Sequence, residues 1–235
     1  MSVIFKRELR SYFRSITGFV FIAVLILFLG IFITLYNFAY LNPSISYALS
    51  DLTLVSALLI PILTMRVFSE ERKSGACRLL YSLPLRTSDI ILGKYLAMLA
   101  LFAIPVVAAA TLPLILSIFG EVNLLSAYAS LLCFILFGAA VTAICTFLSS
   151  LTDNVALSAT FSYLAVILIY LSDILIGLLP SDSVPSKLLS VFSFFSKFEP
   201  FLYGLFDVGA IIYYLTVSAV FLFFTMRSFE KKRLM

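Results

Sequence analysis

MRVFSEERKSGACRLLYSLPLRTSDIILGKYLA, residues 65–97, is the one long charged interruption in a chain that is otherwise close to hydrocarbon. It holds six of the sixteen Lys and Arg residues, at Arg66, Arg72, Lys73, Arg78, Arg86 and Lys94. On either side the sequence is made of long uncharged runs. Over all 235 residues it is 63% hydrophobic and only 12% charged, with a mean hydropathy of +1.15. Soluble domains carry about 25% charged residues. A chain with so little polar surface cannot coat a water-soluble globule, so its solvent is largely lipid. The basic residues flank apolar spans, which turns the net charge of +4 toward a membrane reading and away from nucleic acid.

Working outward, six segments provide the roughly 20 apolar residues that a membrane helix needs. They are 16–39, 47–68, 90–119, 124–148, 155–179 and 206–227. Their orientation follows from the distribution of Lys and Arg over the short connections. Four cations lie in the N-terminal arm (Lys6, Arg7, Arg10, Arg14), six in 66–94 and four in the tail (Arg227, Lys231, Lys232, Arg233). Only Lys187 and Lys197 fall on the other side. Fourteen against two predicts cytoplasmic termini and a cytoplasmic 66–94 loop.

Several chemistries are excluded at this point. The chain contains no histidine, so HExxH proteolysis, Ser-His-Asp catalysis and His-ligated metal sites are absent. Cys77, Cys133 and Cys145 form no CxxC pair, which argues against a zinc or disulfide framework. Gly93-Lys94 is not a phosphate loop, because Ser88 stands where the leading glycine belongs and Tyr95 follows the lysine. Nothing comparable to a GxGD acid pair is present, which sets an intramembrane enzyme aside.

Two shorter segments have their own character. In 2–14, Phe5, Leu9, Tyr12 and Phe13 share one helical face while Lys6, Arg7, Arg10 and Arg14 occupy the rest. That pattern predicts a helix lying in the membrane interface with its cations near anionic headgroups. On the outer side, 181–205 is Phe-rich but interrupted by Lys187, Lys197, Glu199 and Pro200. A short external helix from Ser186 to about Phe198, stopped by Glu199-Pro200, is expected. Asp51 and Asp173 fall at outer headgroup depth. With Phe192 and Phe195 they are the candidates for an outer gate or pathway, with interfacial anchoring as the plainer role. Asp153 is expected to cap the fifth span, and Lys94 to snorkel to the interface.

Within 66–97, the second span should continue into water through Ser69, Glu70, Glu71, Arg72 and Lys73 and stop at Gly75. Residues 76–83 then form a short helix whose Leu79, Leu80 and Leu83 need an apolar partner. Pro84 ends it, and Thr87 or Ser88 caps the third span with Asp89 in its first turn. The bland alternative is a solvated cytoplasmic loop.

The combination Glu70-Glu71-Arg72-Lys73-Ser74-Gly75, then Leu79-Leu80-Tyr81-Ser82-Leu83-Pro84-Leu85, then Ile91-Leu92-Gly93-Lys94-Tyr95-Leu96-Ala97 resembles ABC-2 type transporter permeases. The opening FKRELRSYFRSITGFVF and the closing FLYGLFDVGAIIYYL are similar to the branch of gliding-motility-associated permeases. The resemblance implies an all-α membrane protein forming one transmembrane domain over 1–235. Its parts would be six spans, an N-terminal elbow helix, a cytoplasmic coupling helix between spans two and three, and a short external helix between spans five and six. It implies that Glu70, Glu71, Arg72, Lys73, Gly75, Cys77, Arg78, Leu79, Leu80, Leu83 and Pro84 meet an ATPase. Cys77 and Arg78 depart from the family pattern, which often has Thr and an acid there.

The same resemblance implies two copies of a cytoplasmic ABC ATPase that carry ATP and Mg, no cofactor on this chain, and a second permease chain, like or unlike. The setting would be a bacterial plasma (inner) membrane, with export as the direction and an external accessory protein as a further partner. The Phe-rich interior suits lipids, lipopeptides, drugs or polymers as cargo. A scaffold or force-transmitting subunit that moves no substrate is the competing expectation.

Overall fold

The computed structural model describes residues 1–40, 44–70, 86–119, 122–178 and 193–233. Among these the chain is all-helical. Helix α1 (Ser2–Arg14) leads into α2 (Ile16–Ile33), which ends in a π-helical turn, Thr34–Ala39. Then come α3 (Ser46–Thr64), α4 (Thr87–Phe119), α5 (Leu124–Leu151) and α6 (Val155–Leu178). A 3-10 turn (Ser196–Phe198) and the short α7 (Glu199–Leu202) precede α8 (Val208–Arg233). Six helices are long and apolar enough to cross a membrane: Ile16–Ala39, Ser46–Thr64, Thr87–Ile118, Leu124–Leu151, Val155–Leu178 and Val208–Lys231. They match the six expected spans to within a few residues.

Helix α5 is the centre of the bundle and α6 its periphery. In their most apolar stretches α5 is 72% buried and α6 only 11%. The cause is side-chain size. Gly138, Ala139, Ala140, Thr142 and Ala143 let neighbouring helices approach closely. A Cβ on Gly138 would stand 2.4 Å from the Phe102 ring of α4, so this crossing requires glycine. Cys133 and Cys145, both on α5, are buried free thiols.

Four local expectations are corrected. Helix α3 does not run unbroken into water; it ends at Thr64 and turns. Pro61 sits inside its last turn, and side-chain hydroxyls bond back to backbone carbonyls around the end: Thr64 Oγ1 donates to Ile60 O at 3.1 Å and, past the helix, Ser69 Oγ donates to Met65 O. Glu199-Pro200 does not stop a helix but starts one, because proline in a first turn lacks only an N–H that would have no helical partner. Asn154 rather than Asp153 caps α6, its side-chain oxygen accepting from Ala156 N at 2.9 Å. Lys94 does not snorkel. It is 1% exposed.

Candidate functional site

The bundle has two chemically distinct ends, and the basic one is organised around Lys94. This lysine stands in the second turn of α4. Its Nζ donates to Glu8 Oε1 of α1 at 3.2 Å and to Val67 O, just past α3, at 3.2 Å. It also lies over the Phe68 ring, 5.5 Å from the centroid. Phe68 in turn touches Phe229, near the end of α8, at 5.9 Å. One ammonium therefore joins three separate parts of the chain, and a fourth packs behind it.

The local sequence makes this contact reachable. Gly93 precedes the lysine, and a Cβ there would stand 3.1 Å from Ile4 Cβ and Cγ2, so α1 lies close on α4. The Met1 amine completes that seam 3.9 Å from Asp89. Between α1 and α2, Ser15 is extended and lets the chain turn. A Cβ on Gly18 would fall 2.5 Å from Tyr12 O, which makes glycine necessary at the elbow. Burial alone would raise the pKa of Glu8. The charges and hydrogen bonds of Lys94 and Arg7 outweigh it and hold the carboxyl below its usual value. Arg7 supplies a hydrogen bond of 2.5 Å to the same oxygen.

Beside the junction, α1 and the end of α3 enclose a cavity of about 400 Å³, lined by Glu8, Ser11, Leu63, Arg66 and Glu70 among others. The cations Lys6, Arg7, Arg10 and Arg14 are exposed along α1. The two elements that flank residues 71–85 thus meet at Lys94. Glu70 is described and exposed. Glu71, Arg72, Lys73, Gly75, Cys77, Arg78, Leu79, Leu80, Leu83, Pro84 and the expected helix over 76–83 lie outside the described residues, as does Phe192.

The opposite, acidic end is held by carboxylates that meet no cation among the described residues. Asp173 Oδ2 accepts the backbone N–H of Phe194 at 3.1 Å and of Phe195 at 3.0 Å. Its Oδ1 accepts from Ser196 N at 3.3 Å and Ser196 Oγ at 2.9 Å. Phe195 packs on Phe137 at 5.2 Å and Tyr170 at 5.5 Å. Tyr214 Oη donates to Phe194 O at 2.6 Å. Asp51 is a separate site: it accepts from Tyr36 Oη at 2.6 Å, joining α3 to the π-helical turn after α2. Asp173 and Phe195 therefore come together, and Asp51 does not join them. Among the described residues no three Cys, Asp or Glu side chains converge as metal ligands would.

Residues 32–227 match the family model described as ABC-2 family transporter protein, a match that spans most of the chain and both ends of the bundle. This chain belongs to the ABC-2 transporter family. No curated protein matches it. The permease is a multi-pass membrane protein, and its family match includes Val67, Phe68 and Lys94 but begins after α1. Glu8, the other half of the ion pair, therefore lies beyond the matched region. Sequence reasoning missed Glu8 and misjudged Lys94. The available signal was that Glu8 is the one acid in a strongly basic arm.

Proposed function

We propose that this chain is the permease subunit of an ATP-binding-cassette exporter, driven by two copies of a separate cytoplasmic ATPase that bind ATP and Mg. In this reading the termini and residues 66–94 face the cytoplasm of a bacterial cell, and the protein sits in its plasma membrane, in the gliding-motility-associated branch. Two permease chains, like or unlike, enclose the path. The segment 70–84 holds the ATPase contact.

One observation carries the reading: the helices on either side of residues 71–85 are joined at their base by Lys94. A push delivered between them would therefore move α3, α4 and α1 as a unit rather than flex one helix. Closure of the ATPase dimer on nucleotide binding supplies such a push. Two nucleotide states must contact the loop differently for it to have an effect.

Co-purification with the genetically adjacent ATPase tests this. Leu79→Asp and Leu83→Asp should weaken assembly by roughly tenfold or more, the effect of losing a buried contact at an interface centre. Arg78→Glu should change permease-dependent ATPase stimulation. If all three leave assembly and stimulation intact, coupling does not run through this loop. If the ATPase assembles but its rate ignores the permease, the chain is a scaffold.

A further inference from the structure

The cavity beside the Lys94 junction has a composition that its structural neighbours do not use up. Its floor is apolar, made by Ile62 and Leu63 at the end of α3. Above the floor stand Arg66 and Glu70, one helical turn apart, both exposed and lining the same space. Neither side chain makes an ion pair or hydrogen bond among the described residues, and they do not pair with each other. Arg7 and Glu8 on the facing wall are joined to each other, and Glu8 to Lys94. Among the described residues the cavity thus presents one unpaired cation and one unpaired anion over a hydrocarbon surface.

We infer that this cavity binds the headgroup of a zwitterionic phospholipid bearing a primary ammonium, phosphatidylethanolamine by class. The phosphate meets the Arg66 guanidinium, whose fork suits phosphate oxygens. The ammonium donates to the Glu70 carboxylate and to the Ser11 hydroxyl opposite. An anionic headgroup would leave Glu70 facing like charge. A quaternary ammonium would want an aromatic cage, and among the described residues Tyr12 is the one aromatic that lines the cavity. The volume lies within the roughly 300–1,000 Å³ of small-molecule sites.

A bilayer lipid fits better than a free solute because the wall changes character where the membrane does. Ile62 and Leu63 belong to a membrane span, while Arg66 and Glu70 follow it. Leu58, four residues before Ile62 on the same helical face, is exposed. Ile16 and Phe19 are exposed where α2 begins. Acyl chains can descend from the cavity over these side chains.

The test uses the full chain in nanodiscs of equimolar phosphatidylethanolamine, phosphatidylglycerol and phosphatidylcholine, followed by native mass spectrometry of the retained lipid. Phosphatidylethanolamine should be retained over each of the others by about threefold or more. Glu70→Gln should lower its preference over phosphatidylglycerol by roughly tenfold, the loss of one charge-assisted hydrogen bond. Arg66→Gln should reduce retention of both. A triple variant on the exposed face of α1, Lys6→Gln, Arg10→Gln and Arg14→Gln, should leave the ethanolamine preference in place. Equal retention of the three lipids overturns the proposal, as does a Glu70→Gln variant with unchanged preference, or loss of the preference in the α1 triple variant. Displacement of the lipid by millimolar free phosphoethanolamine overturns the assignment to a bilayer lipid.

Discussion

Lys94 at the basic end and Asp173 at the acidic end are both charges within apolar helices, and the protein accommodates them in opposite ways. Lys94 meets a full opposite charge, a carbonyl and an aromatic face, drawn from segments 26 to 86 residues away in sequence. Asp173 meets no cation among the described residues. Three backbone N–H groups and a hydroxyl, all from residues 194–196, share its two oxygens. The first arrangement ties distant helices together. The second fixes one return segment to one helix. A charge that bridges elements suits transmission between them, whereas a charge satisfied by successive amides suits holding a loop still.

The strongest way to break this contrast is Lys94→Met. It strands Glu8 beside Arg7 and leaves Val67 O without its donor, so it should cost about 3–5 kcal/mol, the range for breaking a buried pair. Thermal unfolding in detergent measures it. Glu8→Gln should cost less, because Lys94 keeps Val67 O and Phe68, and the double variant should cost less than the sum. Additive costs would show that the pair is not a unit. At the other end, Asp173→Ala should cost about 1.5–3 kcal/mol, the scale of hydrogen bonds to a charged group. Its effect should appear as faster amide exchange at 194–196 with little change at Lys94. Spread of the exchange to α1 would erase the distinction between the two ends.

Smaller effects sharpen the comparison further. Tyr36→Phe removes one hydrogen bond to Asp51 and should cost about 0.5–1.5 kcal/mol, again by thermal unfolding. Glu8 titrates below its ordinary value of 4.5 in the folded protein. Its stabilisation is therefore complete above the unfolded pKa and is lost as pH falls through the folded one. The thermal midpoint should be insensitive to Glu8 from neutral pH to about 5 and decline below 4.5. In Glu8→Gln that part of the decline should vanish. An identical acid profile in wild type and variant would remove the junction as its origin.

The spans, their number and the amphipathic α1 were legible because lipid imposes a simple demand: long runs without charge, and cations at their margins. Gly18 and Gly138 are another matter. Gly138 stands among Ala139, Thr142 and Ala143, whose small-xxx-small spacing does signal close helix packing, but nothing local names the Phe102 ring as its neighbour or Tyr12 O as that of Gly18. Lys94 read as a snorkelling residue because one-dimensional context offered only the nearby interface. What buries it is a carboxylate 86 residues earlier and a glycine clearance that admits α1. The end of α3 was misplaced for a related reason. Its hydropathy continues past Thr64, but beyond it Met65 O and Val67 O take side-chain donors, the Ser69 hydroxyl and Lys94, where the backbone turns. Asp173 and Phe195 read as outer-gate candidates from their depth alone, and the hydrogen bond that joins them, an amide on a carboxylate, has no signature in the sequence.

The two cysteines enclosed in α5 have a practical corollary for following the molecule at work. The chain contains three thiols, and Cys133 and Cys145 are each 0% exposed. A maleimide or nitroxide that stays in water therefore has one other thiol to meet on the native chain, Cys77, inside the segment proposed to contact the ATPase. Labelling of the unmodified permease with and without the ATPase and nucleotide would test that contact at Cys77, with no engineered cysteine and no background from the core.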